Sequence, residues 1–149
     1  MPDRKTMERA VEDKREGKSP STQAGEFVRE EMEHVREGKH GARSAKQAIA
    51  IGLSKARRAG VALKAPAKGK ASAKTRRSAR LASAAGARKT SSVSARRSRA
   101  TTNALKREGT SAASPTALSR QAKAVARKRG PAARSAAARK AARTRSRKV

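Results

Sequence analysis

Apolar side chains of useful size recur at helical spacing in the first 63 residues and thin out afterwards. Met7, Ala10 and Val11 share one face of a helix predicted from about Arg4 to Glu16, with Gly17 just past its end. A second helix is predicted from about Ser21 to Glu37, entered through Ser19-Pro20, where Pro20 suits a first helical position. Its stripe is Ala24, Val28, Met32 and Val35, flanked by Phe27, and Gly38 follows as the residue that ends it. Opposite the stripe, Glu26, Glu30, Glu33 and Glu37 fall at i, i+4, i+7 and i+11, which predicts one continuous acidic ridge on a solvated face.

The third predicted helix is the best specified. Ser44-Ala45-Lys46-Gln47 has the form of a capping box, and Ala45, Ile49, Gly52, Leu53 and Ala56 line one face. Gly60 closes the helix, with Val61 placed for a Schellman-type contact. The triplet Arg-Glu-Gly recurs at 15–17, 36–38 and 107–109, each time where a helix is expected to stop, and reads as a terminator. Ile51 projects away from the apolar face. The bland reading is a single exposed isoleucine; the sharper one is a contact in a weak homodimer.

Beyond residue 63 the pattern changes to Ala, Ser, Arg and Lys. Ala65 to Lys74 is a low-complexity stretch expected not to pack. Ser114-Pro115, followed by Ala117, Leu118, Gln121, Ala122 and Val125, predicts an amphipathic helix over about 115–129 that stops at Gly130-Pro131. A weaker helix is expected from about Ala100 to Glu108, and another over 132–143. Short helices this positive are costly to nucleate and repel themselves in water. The expected architecture is therefore mostly α with a large disordered part. It comprises a helical module at 1–63, a low-complexity basic linker at 64–113, and a basic tail at 114–149 whose helices form on binding.

Charge says what such a tail is for. Ten of the eleven acidic residues lie within the first 37 positions, and Glu108 is the last. Residues 1–37 carry a net charge of −2 and residues 38–149 a net of +31, which points to a polyanionic partner. Phe27 is the only aromatic residue, so modes that stack bases on aromatic side chains are disfavoured. A helix-turn-helix over 22–37 and 45–59 fits poorly, given the seven-residue link and the glutamate ridge. What remains is contact with the phosphate backbone, where arginine, sixteen to ten over lysine after residue 63, favours bidentate pairing.

Phosphate contacts are expected from Arg76, Arg77 and Arg80, and from Arg96, Arg97 and Arg99. They are expected also from Arg120, Lys123, Arg127, Lys128 and Arg129, and from Arg134, Arg139, Lys140, Arg143, Arg145 and Arg147. Lys55, Arg57 and Arg58 are secondary candidates.

Other chemistry is set aside. There is no cysteine, and the two histidines, His34 and His40, have only carboxylates nearby in sequence. His34 with Glu30 one turn earlier reads as a surface pair, so no metal or other cofactor is expected. No glycine-rich phosphate loop follows a strand, and the carboxylate pairs lie on an exposed ridge without a pocket, so no enzymatic activity is expected. No apolar run is long enough to insert in a membrane, and the acidic N-terminus has no leader character. A cytoplasmic location is expected.

The stretch SPSTQAGEFVREE at 19–31, continuing through HVREGKHGARSAKQAIAIGLSKARRAGV at 34–61, resembles a family of small basic bacterial proteins known only as a domain of unknown function. ALSRQAKAVARKRG at 117–130 is similar to the C-terminal part of such proteins. The resemblance implies a bacterial cytoplasmic origin and supplies no activity. The segment KAPAKGKASAK at 64–74 is similar in composition to linker-histone tails. The combined expectation is non-specific binding of duplex DNA by a histone-H1-like protein of the bacterial nucleoid, with RNA or ribosome association as the alternative.

Overall fold

Glycine punctuation and serine caps set the helix limits at the N-terminal end. The computed structural model describes residues 2–88 and 94–146. Helix α1 spans Arg4–Arg15, α2 Pro20–Arg36 and α3 Ala45–Arg58, each within two residues of its expected bounds. Gly17, Gly38 and Gly60 follow them with φ between 70° and 91°. In α3 the amide of Gly60 donates to Arg57 O and that of Val61 to Ala56 O, both at 3.1 Å, the paired bonds of a Schellman motif. The same pair of bonds closes α1 and α2. At the other end of α3, Ser44 Oγ accepts from the Gln47 amide at 3.2 Å. The Gln47 side chain reaches back to the amide of Arg43 at 2.9 Å, one residue earlier than a standard capping box.

Helix α2 is the central element. It packs against α1, against α3, and against a short 3-10 turn at Ser111–Ala113. Phe27 and Val35 are wholly enclosed, and Ala10, Ala24 and Ala56 complete the core around Phe27. Met7, Leu53, Val61 and Leu63 close its edges. The α2–α3 contact is tight because Gly52 has no side chain: a Cβ there would come within 2.7 Å of Val28 Cα. Ile51 is partly covered, since α3 is packed on more than one side.

The expected disorder after residue 63 is not found. The chain is ordered and all-helical through the described residues, with six α-helices. Helix α4 spans Ala73–Arg88, α5 Ala95–Lys106 and α6 Pro115–Ser146. Two physical reasons explain the correction. First, α4 docks on α3 through small residues, with Ala79 and Ala82 buried and Ser83 and Gly86 on the same face. A Cβ on Gly86 would run into the carbonyl oxygen of Arg57, so the helices approach backbone to backbone. Burial of this kind needs no bulky side chain, and a count of large apolar residues overlooks it. Second, α6 buries nothing. Its alanines, arginines and lysines are strong helix formers, so local propensity takes the place of a core.

Residues 1–114 form one compact unit and residues 115–149 another. The segment expected as linker thus supplies α4, α5 and the 3-10 turn to the first unit. Ser72 caps α4 by accepting from the Thr75 amide at 3.2 Å. The third Arg-Glu-Gly stops α5 in its own way: Gly41 donates to Leu105 O at 2.9 Å and Ala42 to Gly109 O at 3.0 Å. The loop after α2 therefore caps the C-terminal end of α5. Within α6, Gly130 adopts φ 73° and ψ 166°, which divides it into helices over 115–129 and 131–146, with Pro131 opening the second. The first segment has the bounds expected for the amphipathic helix. No helix among the described residues is long and apolar enough to cross a membrane.

Candidate nucleic-acid interface

The side chains that bury α4 also aim its arginines. With Ala79, Ala82 and Gly86 against α3, Arg77 and Arg80 stand exposed and Arg76 is partly covered. Arg96, Arg97 and Arg99 are exposed on α5, which buries no residue.

In the second unit the basic residues are sorted by face only in the first segment. Arg120, Lys123 and Arg127 lie at i, i+3 and i+7, all exposed, while Leu118 and Gln121 are partly covered. Val125, on the same side as Leu118, remains 36% exposed. Lys128 and Arg129 are exposed at the end of that segment. In the second segment Arg134, Arg139, Lys140, Arg143 and Arg145 are exposed and distributed around the helix. Arg147 lies outside the described residues. The unit of residues 115–149 contains twelve Lys/Arg and no acidic residue.

Two of the three secondary candidates are engaged inside the fold. Arg57 is buried; its Nε donates to Leu63 O at 3.3 Å and its Nη2 to Lys64 O at 3.2 Å, tying the chain after Gly60 back onto α3. Burial pulls its guanidinium below the ordinary arginine range. Lys55 Nζ lies 2.7 Å from Glu31 Oε2 and 3.3 Å from Glu30 Oε1. Arg58 alone of the three is exposed.

The glutamate ridge is not the row of free carboxylates that the spacing predicts. Glu30 is buried and takes Lys55 together with the Asp3 amide at 3.1 Å. Glu26 is held by Arg29 at 2.5 Å and lies 3.7 Å from Arg9. Glu37 pairs with Lys39 at 2.9 Å, which raises the lysine above its ordinary pKa. Glu33 is exposed. The face reads differently at Glu30 because the chain entering α1 and helix α3 both reach it, through the Asp3 amide and Lys55.

The histidines also differ from the surface pair expected. His34 Nε2 faces Asp3 Oδ2 at 3.5 Å, and its side chain is only 13% exposed. The turn at Gly38 folds the chain back, so that His40 meets Glu31, with Nε2 3.3 Å from Oε1. The two rings stand edge to face with centroids 6.1 Å apart. No periodicity reports this cluster, because it assembles across the break between α2 and the loop.

Among known proteins, no family model, no curated protein and no solved structure matches the chain, so residue roles rest on its own geometry.

Proposed function

We propose that the chain binds double-stranded DNA through its phosphates, largely without regard to base sequence, as a linker-histone-like protein of the bacterial nucleoid. One observation carries the reading. The ordered helices after residue 72 present exposed arginines and lysines to solvent, and the second unit has no carboxylate to compete for them. On α6, Arg120 to Arg127 span about 10 Å of helix axis, close to the rise of three base pairs. Such a face can follow one strand of a duplex while the remaining cations displace counter-ions. The first unit adds Arg77, Arg80 and the α5 arginines, while Lys55 and Arg57 serve its interior.

The test is a salt titration of binding to a duplex of random sequence. The slope of log K against log salt should be steeper than about −6, which corresponds to roughly seven phosphates neutralised. Replacing Arg120, Lys123 and Arg127 with serine should flatten it by about 2 to 3. A slope near −2, or selection of one short sequence, would overturn the reading. Duplex RNA of equal length supplies the contrast: tighter binding to RNA than to DNA by roughly tenfold would move the assignment to RNA or ribosome association.

A further inference from the structure

We propose that Glu31, His34 and His40 form a binding site for a divalent transition-metal ion of the zinc type. Glu31 and His34 lie at i, i+3 on α2 and so share a face. The Schellman turn at Gly38 brings His40 onto that face from the following loop. One ligand atom from each of the three residues lies within 4.8 Å of the others. Glu31 Oε1 and His40 Nε2 are 3.3 Å apart. That is the edge of a tetrahedron with metal–ligand bonds of about 2.0–2.1 Å.

Hydrogen bonding identifies the missing partner. His40 Nδ1 lies 3.1 Å from Gly41 O, and a carbonyl only accepts, so Nδ1 carries the proton. Nε2 of the neutral ring is then a lone pair, and it points at a carboxylate oxygen that is also only an acceptor. Two lone pairs at 3.3 Å need a cation between them. An imidazole fixed through Nδ1–H to a backbone carbonyl, with Nε2 directed at the ion, is the usual arrangement of a metal-ligating histidine.

Charge adds a second argument. Glu31 is wholly buried, and neither of its oxygens has a hydrogen-bond partner among the described residues, close as Lys55 and His40 stand. Glu30 is also buried, and among the described residues Lys55 is the one ammonium within ion-pair distance of either carboxylate. Lys39 is turned to Glu37. Two interior carboxylates against one ammonium leave a net negative charge, which is costly to bury.

A doubly protonated His40 would offset that charge. It would not draw on His34, although a ring nitrogen of His34 lies within 4.8 Å of the other two ligand atoms. A metal ion uses both rings. The donor set of two imidazoles and a carboxylate suits zinc, cobalt, nickel or ferrous iron, and is a poor match for magnesium or calcium. Asp3, beside His34 and 59% exposed, marks the open side of the cluster. An ion held here would also fix the loop whose Gly41 amide caps α5.

The chain has two histidines and no cysteine, so an imidazole-ligated metal signal must involve His34 or His40, and His40→Gln separates this cluster from the neighbouring group of Asp3, Glu30 and His34. The experiment uses full-length protein stripped with chelator, titrated with Co²⁺ for visible absorption and with Zn²⁺ for thermal stability, at physiological salt. Expected are one equivalent bound, ligand-field bands of four- or five-coordinate cobalt, and a rise in Tm with zinc but not with magnesium. His34→Gln and His40→Gln should each weaken binding at least tenfold and remove the zinc-dependent rise. Because His34→Gln keeps the His40–Glu31 pair, its metal-free Tm should stay near that of the parent. Absence of cobalt bands and of a zinc-induced shift in the parent would overturn the proposal in favour of a protonated His40. So would binding by either variant as tight as the parent's.

Discussion

Helix α2 and the last segment of α6, residues 131–146, are of nearly equal length and are helical for opposite reasons. Helix α2 buries seven residues, among them Phe27, Val35 and both Glu30 and Glu31. Residues 131–146 bury none. The first is a helix because its neighbours require one face of it; the second because alanine and arginine favour the conformation locally. Burial ties the stability of α2 to the whole first unit, whereas 131–146 can lose its helix without consequence elsewhere. The same contrast divides the charges: Glu30 and Glu31 of α2 are spent inside the fold, and the charges of α6 are all offered to solvent.

The sharpest way to test that contrast is to remove a side chain from the enclosed region. Phe27→Ala deletes the one large ring of the core and should cost about 3–5 kcal/mol. For a unit this small, that should abolish the cooperative thermal transition followed by circular dichroism. Val125→Ala, on the amphipathic segment of α6, should leave the same transition within about 0.5 kcal/mol. Equal effects would show that the two regions share one core after all.

Next in size is the buried charge. Lys55→Met leaves Glu30 and Glu31 without their ammonium and should cost about 3 kcal/mol, the lower end for breaking a buried pair. The lower end applies because the Lys55 side chain keeps 23% of its surface in water. Adding Glu31→Gln should recover part of the loss, measured as the coupling energy in a double-mutant cycle of denaturant midpoints. No recovery would mean that the lysine acts through packing alone.

Smaller again is the α3–α4 contact. Gly86→Ala places a methyl against the Arg57 carbonyl and should cost about 1–3 kcal/mol. Amide exchange should quicken in α4 before it does in α2. Unchanged protection in α4 would show that its helix, like 131–146, stands without its neighbour.

Much of this fold is legible in the sequence, but only where a residue type acts locally. The Ser44 cap, the Pro20 entry, Gly17, Gly38 and Gly60, and the Gly130-Pro131 break can all be located from neighbours a few positions away. Phe27 and Val35 as core follow from spacing. The signals for α4 were also local: the Ser72 cap and the small residues at 79, 82, 83 and 86 were visible. They are easily read as low complexity, because composition weighs side-chain size and ignores backbone approach. The disorder expected of the tail came from equating the lack of a core with the lack of a helix. The exposure of most arginines after residue 72 was legible, since charge with few acidic residues nearby has nowhere else to go. The Glu31, His34 and His40 cluster was not, because its geometry depends on the angle at which the chain leaves α2. The roles of Lys55 and Arg57 were hidden for the same reason: only packing shows that a basic residue faces inward.

The smallest expected effect on the first unit tests the propensity half of the contrast. Ala137 lies in the middle of 131–146 and is exposed. Proline there removes a backbone donor and clashes with the preceding turn, which costs about 3 kcal/mol in a helix interior. That penalty exceeds anything an unburied segment of this length can oppose, since its stability is the sum of small per-residue preferences. Ala137→Pro should therefore lower the helical signal in circular dichroism while leaving the Tm of the first unit unchanged. Ala137→Gly, which costs about 1 kcal/mol, should give a partial loss and the same Tm. Affinity for duplex DNA should fall by much less than it does on removing Arg120, Lys123 and Arg127, because the charges of 131–146 remain and surround the helix rather than forming one face. A drop in Tm would show that 131–146 is held by tertiary contact, and that its helix cannot be credited to alanine and arginine alone.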